Sequence, residues 1–270
     1  KSVKNSEEVN REFEFTIALD NENLLGAERA YAVEEREEPV VFDKEGKAVV
    51  TLKADESITI LSLPQGTSYT VTEADYSENY YTQVAVNEGE IREGNSGKGK
   101  IVADKVQSID FVNTRKVGDL TIGKVVKNGD EKEEFEFTIE LSNKSLKDTL
   151  YLAAGKAEVV NFDHEAKATI KLAHNESITI HDLPKGTEYT VTEADYSESY
   201  QAQVSLNNGE AKDQITLTGK IKDHENQSVL FTNTGIDQNE TTGGSSGTMN
   251  STNTGAKGVS TGDNNLNRLL

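Results

Sequence analysis

Three polar residues stand where their strands should be apolar. Near position 120 the sequence reads LTIGKVV, in which Leu120, Ile122, Lys124 and Val126 share parity. In a strand, side chains two apart lie on one face, so Lys124 points where the leucine and isoleucine point. Tyr189, Val191 and Glu193 share parity in a second segment, and Val229, Phe231 and Asn233 in a third. A lysine, a glutamate and an asparagine are therefore all aimed at one core from three strands. An earlier stretch of the chain carries the same set: Lys1 with Val3, Glu73 with Tyr69 and Val71, and Asn113 with Ile109 and Phe111. Placement at strand ends, where phase ceases to matter, accounts for one such residue but poorly for three that recur together.

Burying an unpaired ammonium or carboxylate costs several kcal/mol, on the order of the whole stability of a domain, so the three groups must meet or be neutralised. Desolvation lowers a lysine pKa and raises a glutamate pKa. A lysine held neutral is an amine nucleophile, and the asparagine carboxamide is a suitable electrophile. A protonated glutamate between them polarises the amide oxygen and carries protons to the departing ammonia. Held in contact, such reactants reach effective molarities of about 10⁵–10⁸ M. The expected product is an isopeptide bond, Lys1 to Asn113 and Lys124 to Asn233, with Glu73 and Glu193 as proton shuttles.

The elements that position these residues come from a duplication. Residues 62–78 (SLPQGTSYTVTEADYSE) and 182–198 (DLPKGTEYTVTEADYSE) agree at 14 of 17 positions, at an offset of 120. Upstream the offset drifts to 122 at the FEFTI segments and 123 at Lys1 and Lys124, as surface insertions allow. One copy is expected over residues 1–115 and the second over 116–235. Within each, apolar residues alternate in runs of five to eight, as in FEFTIEL, separated by Gly, Asn, Asp and Pro. That is the pattern of short antiparallel strands with one buried face. Seven or so strands per copy indicate an all-β fold, two tandem immunoglobulin-like β-sandwiches. Residues 236–270 hold 22 Gly, Ser, Thr or Asn residues and are expected to form a disordered, flexible tail. The first copy opens at Lys1, in mid-strand, which suggests a trimmed N-terminus.

Composition narrows the function. The 270 residues carry a net charge of -19, which disfavours partners with phosphate backbones or anionic lipid surfaces. No nucleic-acid partner is expected, and no run approaches the roughly 20 apolar residues of a membrane span. The absence of cysteine removes disulfides, thiolate metal sites and thiol catalysis. No cofactor and no metal site is expected, since no D-x-[DN]-x-[DN]-G loop occurs. His164, His174, His181 and His224 all lie in the second copy without shared ligand spacing and read as surface residues. A duplicated enzyme would have duplicated such groups, so catalysis beyond the internal cross-link is not expected.

The set of Lys124 in TIGKVVKN, Glu193 in YTVTEADY and Asn233 in VLFTNT resembles the isopeptide-forming domains of Gram-positive surface proteins, and is most similar to streptococcal pilin backbones and collagen-adhesin B-type repeats. The resemblance covers residues 1–235. It implies an extracellular, cell-wall location and a stalk or pilin-like module; the alternative is an adhesin domain that binds a host protein or glycan. It implies neighbouring subunits, or peptidoglycan reached through a sortase, as partners. Residues 259–263 (VSTGD) are similar to the Thr-Gly core of sortase sorting signals but lack the usual proline. Lys4 in SVKN and Lys127 in VVKN faintly resemble the pilin lysine motif; their recurrence in both copies reads as a solvated repeat feature.

Overall fold

The computed structural model describes residues 1–6 and 10–236. Residues 259–263 and the expected tail from 237 onward lie outside the described residues. The first copy contributes β1 (Ser2–Lys4), β2 (Phe13–Asp20), β3 (Arg29–Tyr31), β4 (Val40–Phe42), β5 (Lys47–Leu52), β6 (Ser68–Glu73), β7 (Tyr80–Val86), β8 (Arg92–Glu93), β9 (Ser96–Lys100) and β10 (Ile109–Arg115). The second contributes β11 (Val117–Lys127), β12 (Phe135–Leu141), β13 (Leu150–Gly155), β14 (Val159–Asn161), β15 (Lys167–Leu172), β16 (Ser177–Pro184), β17 (Glu188–Glu193), β18 (Tyr200–Leu206), β19 (Thr216–Lys220) and β20 (Asn226–Gly235). Among the described residues each copy thus has ten strands rather than seven or so, because several are only two or three residues long. Among the described residues no helix is long and apolar enough to cross a membrane.

Each copy is built on two main sheets, and copy one adds a two-stranded sheet of β3 and β4. In the second, a six-stranded sheet ordered β14-β13-β16-β11-β20-β18 faces a four-stranded sheet ordered β15-β12-β17-β19. The first strand, β11, lies parallel to the last, β20, and antiparallel to β16. The alternation read from the sequence is the burial pattern observed: β12 buries Phe135, Phe137, Ile139 and Leu141 and turns Glu136, Thr138 and Glu140 outward. In the first copy the corresponding sheets are β1-β10-β7-β8 and β5-β2-β6-β9. Two separate apolar clusters result, one from Phe13 to Phe111 and one from Leu120 to Phe231. Only Lys116 stands between β10 and β11, so the connection is nearly all strand.

The YTVTEADY segment is anchored on the neighbouring strand of its own sheet by the same contacts in each copy. Tyr196 packs edge-on against Phe135 at 4.8 Å between centroids, and its hydroxyl accepts the Glu136 backbone N–H at 3.0 Å. Tyr76 does the same on Phe13 and Glu14, at 5.1 and 3.0 Å. Tyr189 and Tyr69 instead run under glycines. A Cβ on Gly219 would sit 2.2 Å from the Tyr189 hydroxyl, and one on Gly99 2.4 Å from that of Tyr69. These glycines admit the tyrosine rings, a packing reason for a residue that otherwise weakens a strand.

One expectation of symmetry fails. Residues 177–184 form β16, but the matching residues 57–64 make only an isolated bridge, Val33 to Ile60. The physical reason is pairing. The body of β16 is held by residues 117–123 of β11, whose counterparts in copy one would precede Lys1.

Candidate functional site

Lys124 and Asn233 come from adjacent strands of one sheet, β11 and β20. In the register, Lys124 lies opposite Phe231 and Val126 opposite Asn233, so the two side chains are diagonal neighbours on the inner face. Glu193, the last residue of β17, reaches them from the facing sheet. It is at a strand end, yet it is still registered opposite Phe137 and its N–H still bonds to Ile215 O at 2.8 Å. The core phase therefore persists through it. Lys124 and Glu193 are each 1% exposed and Asn233 is wholly buried.

The three groups touch. Lys124 Nζ donates to Glu193 Oε1 at 2.5 Å, and Asn233 Nδ2 donates to the same oxygen at 3.1 Å. The carboxylate is thus a bridge between amine and carboxamide. The first copy repeats the arrangement: Lys1 Nζ to Glu73 Oε1 at 2.7 Å and Asn113 Nδ2 to Glu73 Oε1 at 3.0 Å. The Lys1 and Glu73 side chains are fully buried. The short β1 suffices to hold Lys1 in register: its backbone nitrogen donates to Glu56 O at 2.9 Å and its carbonyl accepts from Asp55 N at 2.9 Å. Lys124 makes the matching bonds with Glu176 and Asn175 at 3.0 and 2.8 Å.

Electrostatics around the pair are set by burial first. Desolvation lowers the Lys124 pKa from 10.5 to about 8, against the opposing pull of the Glu193 hydrogen bond and charge. Desolvation raises the Glu193 pKa, opposed by Lys124 and Asn233. Lys1 and Glu73 move in the same directions for the same reasons. Both shifts favour moving one proton from lysine to glutamate, which leaves a neutral pair in a low-dielectric core. Aromatic rings floor the site, with Lys124 Nζ 4.0 Å from the Phe135 centroid and Lys1 Nζ 4.3 Å from that of Phe13. Sequence reading overlooked these phenylalanines as site residues, although the FEF segments carry them in core phase next to the triad.

Two atoms per copy are left over. Glu193 Oε2 and Asn233 Oδ1 are buried without a hydrogen-bond partner, and so are Glu73 Oε2 and Asn113 Oδ1. An ionised carboxylate cannot serve a carbonyl oxygen, because both only accept. A carboxylic acid can, because its proton makes it a donor. The neutral-pair arrangement is the one able to satisfy both orphans.

Other sequence candidates fall elsewhere. Lys4 and Lys127 are exposed. His164 and His224 are exposed, but His174 and His181 are half-buried, a correction to their reading as surface residues. His174 Nδ1 accepts the Val126 N–H at 2.9 Å, and His181 Nδ1 lies 3.0 Å from Asp119 Oδ2. Both brace the edges of β11, where a free backbone or carboxylate group needs a partner. Among the described residues no group of three or more His, Asp or Glu side chains could hold a metal ion.

Comparison with known proteins gives three findings. A family model described as "Domain of unknown function (DUF7601)" matches residues 1–115 and again 118–235. A pilin of Streptococcus pyogenes serotype M1 is 43% identical over 70 residues, 24% of this chain; the match spans about a fifth (21%) of that curated relative. Two solved structures similar in fold are major pilin proteins of Streptococcus pyogenes. T3.2 has a TM-score of 0.53 at 19% identity, covering 85% of this chain and 92% of that one. T-13 has a TM-score of 0.53 at 17% identity, covering 87% and 95%. At these identities the likeness is one of fold.

Proposed function

The chain belongs to the DUF7601 family, and from that premise we propose that it is a structural stalk or pilin-like module of a Gram-positive cell-surface protein, stiffened by internal Lys–Asn isopeptide bonds. The single observation that carries the reading is the pair of buried Lys–Glu–Asn sites, each with both nitrogens on one carboxylate oxygen. The pilin relatives support it by their fold and their names. Its partners on this reading are neighbouring surface-protein subunits and, through a sortase, the cell wall, and its place is outside the cell.

The reaction needs nothing beyond the three side chains. Lys124, with its proton passed to Glu193, attacks the Asn233 side-chain carbonyl carbon with its free electron pair. The Glu193 proton goes to the carbonyl oxygen and stabilises the tetrahedral intermediate. The second amine proton moves through the carboxylate to the departing nitrogen. The C–N bond of the carboxamide breaks as the hydroxyl proton returns to Glu193, ammonia leaves, and Lys124 and Asn233 remain joined by an amide, with Glu193 again a carboxylic acid. The same steps apply to Lys1, Glu73 and Asn113. The cross-link ties the first strand to the last, so a pull along the chain is borne by covalent bonds. A thiol-free chain gains by this what a disulfide would give.

Intact mass under denaturing conditions tests the proposal. The expected mass is lower than that of the sequence by one ammonia for each bond, two in all. A denatured mass equal to the sequence mass overturns the cross-link and leaves a tandem sandwich without one.

A further inference from the structure

A tyrosine closes one end of each Lys–Glu–Asn site, and the two copies surround it with different charges. In copy two Tyr200 of β18 is 7% exposed and packs edge-on against Phe135 at 5.2 Å between centroids; Lys124 Nζ rests on the same Phe135 ring. Residues 128–134 fold over the tyrosine. A Cβ on Gly129 would sit 2.5 Å from Tyr200 Cε1, and the Asp130 N–H donates to the tyrosine hydroxyl at 3.3 Å. That hydroxyl donates to Oε2 of the half-buried Glu133 at 2.6 Å. In copy one Tyr80 takes the same place, 5.5 Å from Phe13. There Arg11 matches Glu133 and Arg115 matches Gly235. The Arg11 guanidinium lies 5.2 Å from the Tyr80 centroid, and Arg115 Nη1 donates to the Tyr80 hydroxyl at 3.3 Å. The same closure forms with a carboxylate in one copy and guanidinium groups in the other, so its packing does not call for the Glu133 charge.

That charge does bear on Lys124. Glu193 faces the amine from β17 and forms its ion pair. Glu133 faces it from the turn before β12, with Tyr200 and Asp130 behind. On the far side Glu176 is engaged by Lys156, and His174 by the Val126 backbone. Desolvation is the largest influence and lowers the Lys124 pKa; Glu193 and, after it, Glu133 pull it back up. The attack requires one proton to pass from Lys124 to Glu193. A carboxylate on the lysine side favours the ammonium and opposes that transfer.

We infer that Glu133 is a positioning residue that regulates the copy-two cross-link: Tyr200 fixes its carboxylate beside the aromatic floor of Lys124, where it holds the amine charged and slows bond closure. The inference rests on the cross-link reading above. The bonds that change are the ones given there: Lys124 Nζ gains the Asn233 acyl carbon, ammonia leaves, and no atom of Glu133 is consumed.

Refolding kinetics test it. The 270-residue chain, recovered unfolded in urea and shown by mass to be uncross-linked, is diluted into buffers from about pH 5 to 9. Samples are quenched in acid and digested, so that ammonia loss is read for each copy separately, while tyrosine fluorescence follows folding. Glu133→Gln keeps an acceptor for the Tyr200 hydroxyl and removes the charge. It is expected to close the copy-two bond about threefold faster than the parent near neutral pH, the worth of about half a pKa unit, and to move both limbs of the bell-shaped pH profile to lower pH. Glu133→Arg, which places the copy-one charge there, is expected to close faster still, and Glu133→Asp to keep the parent's profile. Copy-one closure should be the same in all four chains. Folded variants that close no faster than the parent, or that speed up with no shift of the profile, overturn the inference and leave the cross-link standing. Failure of both Glu133→Gln and Glu133→Arg to fold overturns it too, since the closure would then need the carboxylate. No ammonia loss from copy two in any chain overturns the cross-link itself, and this regulation with it.

Discussion

Replacing Asn233 with alanine removes the electrophile and leaves Lys124 and Glu193 as a buried pair. The proposed bond closes a loop of about 110 residues. Chain-entropy reasoning for a cross-link of that span gives about 4–5 kcal/mol of stability, if the disulfide relation carries over. For a domain of some 120 residues the entropy of unfolding makes each kcal/mol worth about 4 °C, so the copy-two transition should fall by about 15–20 °C or more. Calorimetry on parent and variant reads the shift, and copy one serves as an internal reference because its cluster is separate. Denatured mass fixes the cause: the variant should show one ammonia loss fewer than the parent. A drop of only about 1–2 kcal/mol with no difference in ammonia loss would refute the reasoning, since that is the cost of a hydrogen bond and a small cavity alone.

Glu193→Ala should leave a folded domain that lacks the copy-two ammonia loss and melts lower than the parent; an unchanged melting temperature would remove Glu193 from the mechanism. The uncross-linked Asn233→Ala chain should also acquire a pH dependence. Its Lys124 keeps a free amine with a pKa near 8 against 10.5 unfolded, so between those values the unfolded chain binds a proton the folded one does not, and stability rises with pH. In the cross-linked parent that nitrogen is an amide and the slope should be missing; urea titrations at pH 8 and pH 10 compare the two. The raised pKa of Glu193 acts with opposite sign, its contribution fading as pH rises above 4.5 and through its folded value. Gly219→Ala should cost about 1–3 kcal/mol in a denaturant melt, because its methyl would overlap the buried Tyr189 ring, with CZ 2.4 Å and the hydroxyl 2.2 Å away. A neutral result would mean that the ring shifts freely.

The sequence alone determined the phase of the strands that carry the triad and of FEFTIEL, because a side-chain period of two against a buried face permits only one assignment, and Phe135, Phe137, Ile139 and Leu141 are all sealed as that phase requires. It also determined that Lys124, Glu193 and Asn233 face one core, since parity is a local property. That they should meet followed from the cost of burying them apart, but the pairing that brings them together was not legible. It depends on β11 lying parallel to β20, on a two-residue diagonal, and on β17 crossing from the other sheet, all of which are set by non-local pairing. The half-buried places of His174 and His181 follow from what packs beside β11, which no spacing reveals. The loss of a strand at residues 57–64 was equally hidden, because those residues carry nearly the same apolar alternation as β16. A strand is completed by its neighbours, and only the tertiary structure showed that residues 117–123 of β11 are the neighbour that makes residues 177–184 a strand.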